Sequence, residues 1–370
     1  MKNSLSLLIK PASGACNLRC KYCFYYDVAE NRHQKDYGMM EEDVLEEIIK
    51  RAFDYADAHI TFAFQGGEPT LRGLDFFRKC VELTEQYNKN KVPISFAIQT
   101  NGILIDDEWA EFFSQNKFLV GLSLDGYKEV NDLNRVDARG NGTFRRIIDA
   151  SRILSKHNVE YNILCVVTKA VAKHGVKIYN AFKSYGFRYI QFIPCLDDFG
   201  QENGKRPFSL TANDYGNFLI NIFNLWYRDY INGDYVSIRM LDNLVMMLKG
   251  YPPESCDMVG RCSRGTIIEA DGSLYPCDFY VTDEWKIGNL MESSFGELID
   301  DPKMDKFVEQ SMKINMECRT CEYFSLCRGG CRRHKENSID RNVLTNMFCE
   351  SYKMFYAHSY DKLMHIAQNS

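Results

Sequence analysis

Eleven of the fourteen cysteines in this chain fall in two places, and that distribution limits the fold more than any other feature. Three stand near the N-terminus as Cys16, Cys20 and Cys23, spaced CxxxCxxC, shortly after an apolar run at residues 5–9. The other eight lie between Cys256 and Cys349. So many thiols in a chain without an export signal read as metal ligands or catalytic groups before disulfides. Three thiolates can hold three irons of a [4Fe–4S] cube, whereas an electron-transfer cluster usually takes four. A triplet therefore points to an open iron that binds something else.

Two plainer readings of this segment fail. Ser13, Gly14 and Ala15 precede Cys16 as they would in a lipoprotein signal. The apolar run, however, is interrupted by Ser6 and ended by Lys10 and Pro11, short of the roughly 7–15 residues a secretory segment needs. A structural zinc site wants four ligands, and the nearest further candidate is His33.

Composition narrows the class. The 370 residues are 45% hydrophobic and 26% charged with net charge −5, an ordinary balance for a globular chain of two or three domains. No apolar stretch approaches the roughly 18 residues of a membrane span. Acidic and basic residues are mixed, which does not indicate a nucleic-acid footprint. We expect a cytoplasmic monomer that binds neither membrane nor nucleic acid. The basic run Arg328, Arg332, Arg333 and Lys335 threads through the late cysteines, and reads equally as a solvated face or as cationic support of a cluster.

The first 230 residues alternate β-rich runs with amphipathic stretches. Strands are predicted at 5–9, 60–64, 94–99, 119–124, 161–168 and 189–194, and helices at 41–55, 73–87, 106–114, 144–157, 176–185 and 214–230. Val44, Ile48, Ala52 and Tyr55, for example, recur at three- or four-residue steps. Six such β/α units predict an α/β fold with parallel strands and right-handed crossovers. In β/α barrels the chemistry sits at the C-terminal strand ends. There the sequence places the cysteine triplet, Gln65-Gly66-Gly67-Glu68-Pro69, Gln99-Thr100-Asn101-Gly102 and Ser123-Leu124-Asp125-Gly126. Taken singly, each of these is also a turn signal.

Together, the triplet, the aromatic Tyr22 before its last cysteine, and the Gly66-Gly67-Glu68-Pro69 segment resemble the radical S-adenosylmethionine (SAM) enzymes. The resemblance implies a partial (β/α)6 barrel over residues 1–235 and a SAM-binding [4Fe–4S] cluster on Cys16, Cys20 and Cys23. It further implies SAM contacts at Tyr22, Gly66, Gly67, Glu68, Ser123, Arg135 and Leu196. The late cysteines, Cys262-x9-Gly272-x4-Cys277, then Cys318-x2-Cys321-x5-Cys327-x3-Cys331 and x17 to Cys349, resemble the SPASM extension of these enzymes, placed here at 236–370. Spacing alone would group Cys318, Cys321, Cys327 and Cys331 as one local site, zinc included. The family pattern instead interleaves them. It gives Cys256, Cys262, Cys277 and Cys331 to one auxiliary [4Fe–4S] cluster and Cys318, Cys321, Cys327 and Cys349 to a second. Cys80, Cys165 and Cys195 are expected to be buried as small hydrophobes.

Within the SPASM proteins the chain looks most like the anaerobic sulfatase-maturating enzymes. The likeness runs through residues 7–13, 62–70, 119–123 and 275–280. It implies oxidation of a sulfatase Cys or Ser to Cα-formylglycine, with Asp278 as proton acceptor and a flavodoxin- or ferredoxin-like electron donor. Tyr25 and Gln65 flank the SAM site and are expected to hold the substrate peptide. The alternative is a SPASM enzyme that crosslinks or epimerises a ribosomal peptide. Such enzymes often carry an N-terminal peptide-binding domain, and with the triplet starting at residue 16 none is expected ahead of it.

Overall fold

The computed structural model describes residues 3–199, 201, 203–336 and 345–369. Six parallel strands run in chain order: β1 (Ser4–Ile9), β2 (His59–Phe64), β3 (Ile94–Thr100), β4 (Phe118–Ser123), β5 (Tyr161–Val167) and β6 (Tyr189–Pro194). Each lies within two residues of its sequence expectation. The alternation along β1 and β2 shows why: Leu5, Leu7 and Ile9, then Ile60, Phe62 and Phe64, point into the core while their neighbours do not. Phe62, Phe96 and Phe118 occupy one register row. Their rings stack at 5.8 and 4.9 Å between centroids, within the range where aromatic pairs add to area burial.

Helices return the chain between strands. The helix Glu42–Tyr55 buries Leu45, Ile48, Ile49 and Ala52 at three- and four-residue steps. Of the four residues in the sequence pattern, Ile48 and Ala52 lie in this face, while Val44 and Tyr55 are half-buried at its edges. Asp107–Gln115 starts where the Asp106 side chain accepts from Trp109 N at 3.0 Å, satisfying one of the free N–H groups of a helix start. A short helix, α1 (Phe24–Glu30), follows the cysteine triplet directly.

Beyond the six strands the sheet grows at both edges. β7 (Ser237–Ile238) pairs with β6. On the other side, β8 (Thr266–Ile268) pairs with β1 in parallel and folds back as β9 (Ser273–Tyr275), with β10 (Gly288–Asn289) outermost. The described residues thus form one ten-stranded sheet in the order β10-β9-β8-β1-β2-β3-β4-β5-β6-β7. Its ends do not pair, so the barrel is open. The hairpin β8–β9 welds the cysteine-rich C-terminal part onto the strand that leads into the triplet.

The C-terminal helix Cys349–Asn369 packs along Ala212–Ile231. Gly216 allows the close approach, since a Cβ there would lie 2.9 Å from the Met354 sulfur. Cys80, Cys165 and Cys195 are buried, as expected. No helix among the described residues is long and apolar enough to cross a membrane.

Candidate active site

The loop that carries Cys16, Cys20 and Cys23 is held from two sides. On one, Gly67 N donates to Ser13 O at 2.9 Å and Glu68 N to Ala15 O at 2.8 Å. This back-to-back contact requires glycine: a Cβ on Gly67 would lie 2.0 Å from Ala15 O and 2.6 Å from Ala15 C. On the other side, Arg19 N donates to Val136 O at 2.7 Å and Lys21 N to Asn134 O at 3.1 Å.

Glu68 ties these segments together. Its buried carboxylate accepts from Thr70 N (3.1 Å), Thr70 Oγ1 (2.6 Å), Thr100 Oγ1 (2.7 Å) and Asn101 N (2.7 Å). Asn101 in turn donates to Asn17 Oδ1 at 2.8 Å and approaches Cys16 Sγ at 3.8 Å. The Glu68 side chain is thus committed to the loops, and what the Gly66-Gly67-Glu68 segment offers a ligand is backbone.

Tyr22, Asp125 and Arg135 form a buried network beside the triplet. The Tyr22 hydroxyl donates to Asp125 Oδ2 and accepts from Arg135 NH1 at 3.1 Å, while Val166 N donates to Asp125 Oδ1 at 2.9 Å. Arg135 Nε is buried without a hydrogen-bond partner, 4.0 Å from Asp125 Oδ2, a donor that an anionic ligand could take up. Ser123 ends β4, also buried, and Leu196 follows β6 half-buried. Burial pushes the Cys16 thiol up to about 11 and Cys20 to about 12. Thiols so placed release their protons when a metal takes them. A three-thiol loop, backbone at Gly67 and an open guanidinium donor fit an iron–sulfur centre with a small ligand that carries both an amine and a carboxylate.

Across the site lies Asp278, in a single helical turn, Asp278–Tyr280, packed against α1, with Phe279 4.7 Å from Phe24. Its Oδ2 accepts from Tyr25 OH at 2.6 Å and from Gln65 Nε2 at 3.2 Å, and Gln65 also donates to Tyr25 OH at 2.6 Å. Tyr25 and Gln65, singled out from sequence, are therefore joined to Asp278. Burial raises the Asp278 carboxyl above its ordinary value; Lys10 and then Tyr25 pull it back. A carboxylate raised in this way is better matched to taking a proton near neutral pH.

Sequence reasoning missed the neighbours of that carboxylate. Lys10 stands 3.7 Å from Asp278 Oδ1 and 3.1 Å from Glu269 Oε1, and Arg32 NH1 bonds Glu269 Oε1 at 2.7 Å. All three side chains are at most 2% exposed. One signal was available: a lysine directly after the first strand, at the edge where barrel chemistry collects.

The eight late thiols separate into two groups by which of them raise one another's pKa. Cys277 feels Cys331 and Cys262, and Cys331 feels Cys256 and Cys262. Cys327 feels Cys349, Cys318 and Cys321, and Cys349 feels the last two. The Cys331 thiol thus feels thiols far from it in sequence.

Three of the four cations in the basic run leave the solvated face, and Arg328 is half-buried. Arg332, Arg333 and Lys335 are buried. Arg332 lies 4.5–4.8 Å from the ring centroids of Phe307, Tyr280 and Trp285 and bonds Glu336 at 2.6 Å. Lys335 donates to Ser311 O. Burial lowers its pKa while Cys262, Cys331 and Cys318 oppose the shift, which sets it between the two thiol groups.

Comparison with known proteins agrees with this geometry. Residues 11–175 match the radical SAM superfamily and 256–322 an iron–sulfur cluster-binding domain, SPASM. A cysteine-type anaerobic sulfatase-maturating enzyme of Clostridium novyi is 48% identical over 365 residues, covering 99% of this chain and 98% of the relative. A serine-type enzyme of Bacteroides thetaiotaomicron is 29% identical over 371 residues, 96% of this chain and 89% of the relative. A solved structure described as native anSMEcpe with bound AdoMet and Cp18Cys peptide superposes with TM-score 0.94 at 47% identity, covering 99% of both chains.

Proposed function

The chain belongs to the anaerobic sulfatase-maturating enzymes, and from that premise we propose a cysteine target and Asp278 as the base. The reaction converts an active-site Cys or Ser of a sulfatase to Cα-formylglycine by radical SAM chemistry, with SAM and [4Fe–4S] clusters as cofactors. When bound, those cofactors supply a 5′-deoxyadenosyl radical that takes a hydrogen atom from the substrate Cβ, and an acceptor for one electron.

What the polypeptide must add is proton removal and placement. Loss of the hydrogen atom, the thiol proton and one electron leaves a thioaldehyde, which water converts to the aldehyde with release of hydrogen sulfide. Asp278 takes the thiol proton. The observation that supports this role is its position: it follows Cys277, and its carboxylate is met by Tyr25 from α1 and Gln65 from the end of β2. A cluster held in part by Cys277 would accept the electron beside the residue that takes the proton. Cys16, Cys20 and Cys23 would hold the SAM-binding cluster, with the backbone of Gly66, Gly67 and Glu68, together with Tyr22, Ser123, Arg135 and Leu196, at SAM. Cys256, Cys262, Cys277 and Cys331 would hold one auxiliary cluster, and Cys318, Cys321, Cys327 and Cys349 the other.

We place the boundary between barrel and auxiliary-cluster domain at 235/236, and expect a cytoplasmic monomer reduced by a flavodoxin- or ferredoxin-like donor. The cysteine target is favoured by 48% identity to a cysteine-type enzyme against 29% to a serine-type one. Full-length likeness of that order also favours a sulfatase over a ribosomal peptide. Anaerobic incubation with SAM, dithionite and matched sulfatase-motif peptides bearing Cys or Ser, read by mass spectrometry, tests the reading. Aldehyde should form faster from the Cys peptide. Faster oxidation of the Ser peptide would reverse the target, and deoxyadenosine formation with both peptides unchanged would remove the function.

A further inference from the structure

We propose that Lys10 is a positioning residue for the oxidation: it holds the Asp278 carboxylate so that Oδ1 stays open as the accepting atom. The inference rests on the reading of Asp278 as base and adds which oxygen acts and what keeps it in place.

The two oxygens of Asp278 differ. Oδ2 accepts from Tyr25 at 2.6 Å and from Gln65 at 3.2 Å. Oδ1 is buried and has no hydrogen-bond partner. Its nearest cation, Lys10 Nζ, is 3.7 Å away, close enough to attract and too far to occupy the lone pair as a hydrogen bond would. A buried acceptor left open beside a doubly bonded Oδ2 is where an incoming donor belongs.

Lys10 reaches this point by construction. Its backbone N donates to Ile268 O at 2.8 Å, which extends the β1–β8 pairing and fixes the residue where the barrel meets the cysteine-rich hairpin. Its stem passes Gly66, where a Cβ would lie 3.2 Å from Lys10 Cβ and 3.4 Å from Cε; at φ +125° that position suits glycine in any case. Its ammonium lies 4.8 Å over the Tyr25 ring, so one group steadies both the base and the tyrosine that bonds it.

Charge count argues for a role beyond stability. Lys10, Arg32 and Glu269 form a buried triad with one surplus positive charge, and Asp278 is the anion that meets it. Buried ion networks are often no more stable than well-packed apolar residues, so stability alone does not explain four charges here. In this arrangement loss of the cation leaves Tyr25 and Gln65 gripping one oxygen while the other is free to swing.

The test compares Lys10→Met, Asp278→Asn and the double variant in the reconstituted holoenzyme. Readouts are iron content, aldehyde formed per deoxyadenosine, and kcat against KM for the Cys peptide. Lys10→Met should keep its iron and its SAM cleavage. Its aldehyde per deoxyadenosine should fall about 10- to 100-fold, the scale of a misplacement near 1 Å, through kcat with KM within about twofold. The double variant should be no worse than Asp278→Asn, as expected for residues acting in one step. Unchanged coupling in Lys10→Met, or losses that multiply in the double variant, would overturn the proposal. Full aldehyde yield from Asp278→Asn would instead overturn the base assignment on which it rests. If Lys10→Met does not fold, Lys10→Met with Glu269→Gln restores the charge balance and serves in its place; failure of that variant to fold as well would make Lys10 purely structural and refute the idea.

Discussion

Replacing Glu68 by Gln tests whether the second strand-end segment builds the cysteine loop or binds the cofactor through its side chain. In the structure three donors, Thr70 N, Thr70 Oγ1 and Thr100 Oγ1, converge on Oε1 and a fourth, Asn101 N, on Oε2. Glutamine can keep its oxygen toward the first three, but its NH2 then confronts the Asn101 N–H. Hydrogen bonds to a charged acceptor are worth about 1.5–3 kcal/mol against about 0.5–1.5 for neutral ones, and a buried donor left unmet costs about 1–3 kcal/mol. The neutral side chain also sheds part of the cost of a buried charge. A net destabilisation of about 2–3 kcal/mol follows, concentrated on Thr100 and Asn101 and passed to Cys16 through the Asn101 side chain. Urea unfolding followed by fluorescence should show the midpoint falling with little change in slope, and the reconstituted protein should retain less iron at its N-terminal site. An unchanged midpoint together with weakened SAM binding would refute this reasoning and make the carboxylate a direct ligand of the cofactor.

Two further substitutions address the cluster sites. Gly67→Ala places a methyl group 2.0 Å from Ala15 O, against backbone that cannot yield as a side chain would; the variant should lose about four of about twelve irons, and full iron content would contradict the packing. Cys331→Ala should abolish the same electron paramagnetic resonance signal as Cys256→Ala and leave the signal lost in Cys327→Ala intact, whereas a shared signal between Cys331 and Cys327 would restore the local grouping.

The six barrel strands were legible because each carries a β-rich apolar run bounded by turn residues, and the helices because their apolar residues recur at helical steps. Three kinds of feature were not. β8, β9 and β10 have three, three and two residues, too few for periodicity, so the sequence did not show that the sheet continues past β1. Helix α1 has seven residues and a single buried one, Val28, and lacks the apolar stripe that would announce it. Long-range partners were hidden as well: Glu269 and Asp278 reach Lys10 across most of the chain, because three-dimensional proximity here is set by the hairpin and not by spacing. Asp278 was visible from the family likeness, and Tyr25 and Gln65 from their place beside the SAM site; that the three share hydrogen bonds was not.

Turnover of a peptide dideuterated at the target cysteine Cβ tests the central claim most directly. If a hydrogen atom leaves Cβ to the adenosyl radical and Asp278 removes only the thiol proton, each deoxyadenosine formed should carry one deuterium and each aldehyde should keep one. Deoxyadenosine without deuterium, or an aldehyde that has lost both labels, would contradict the account.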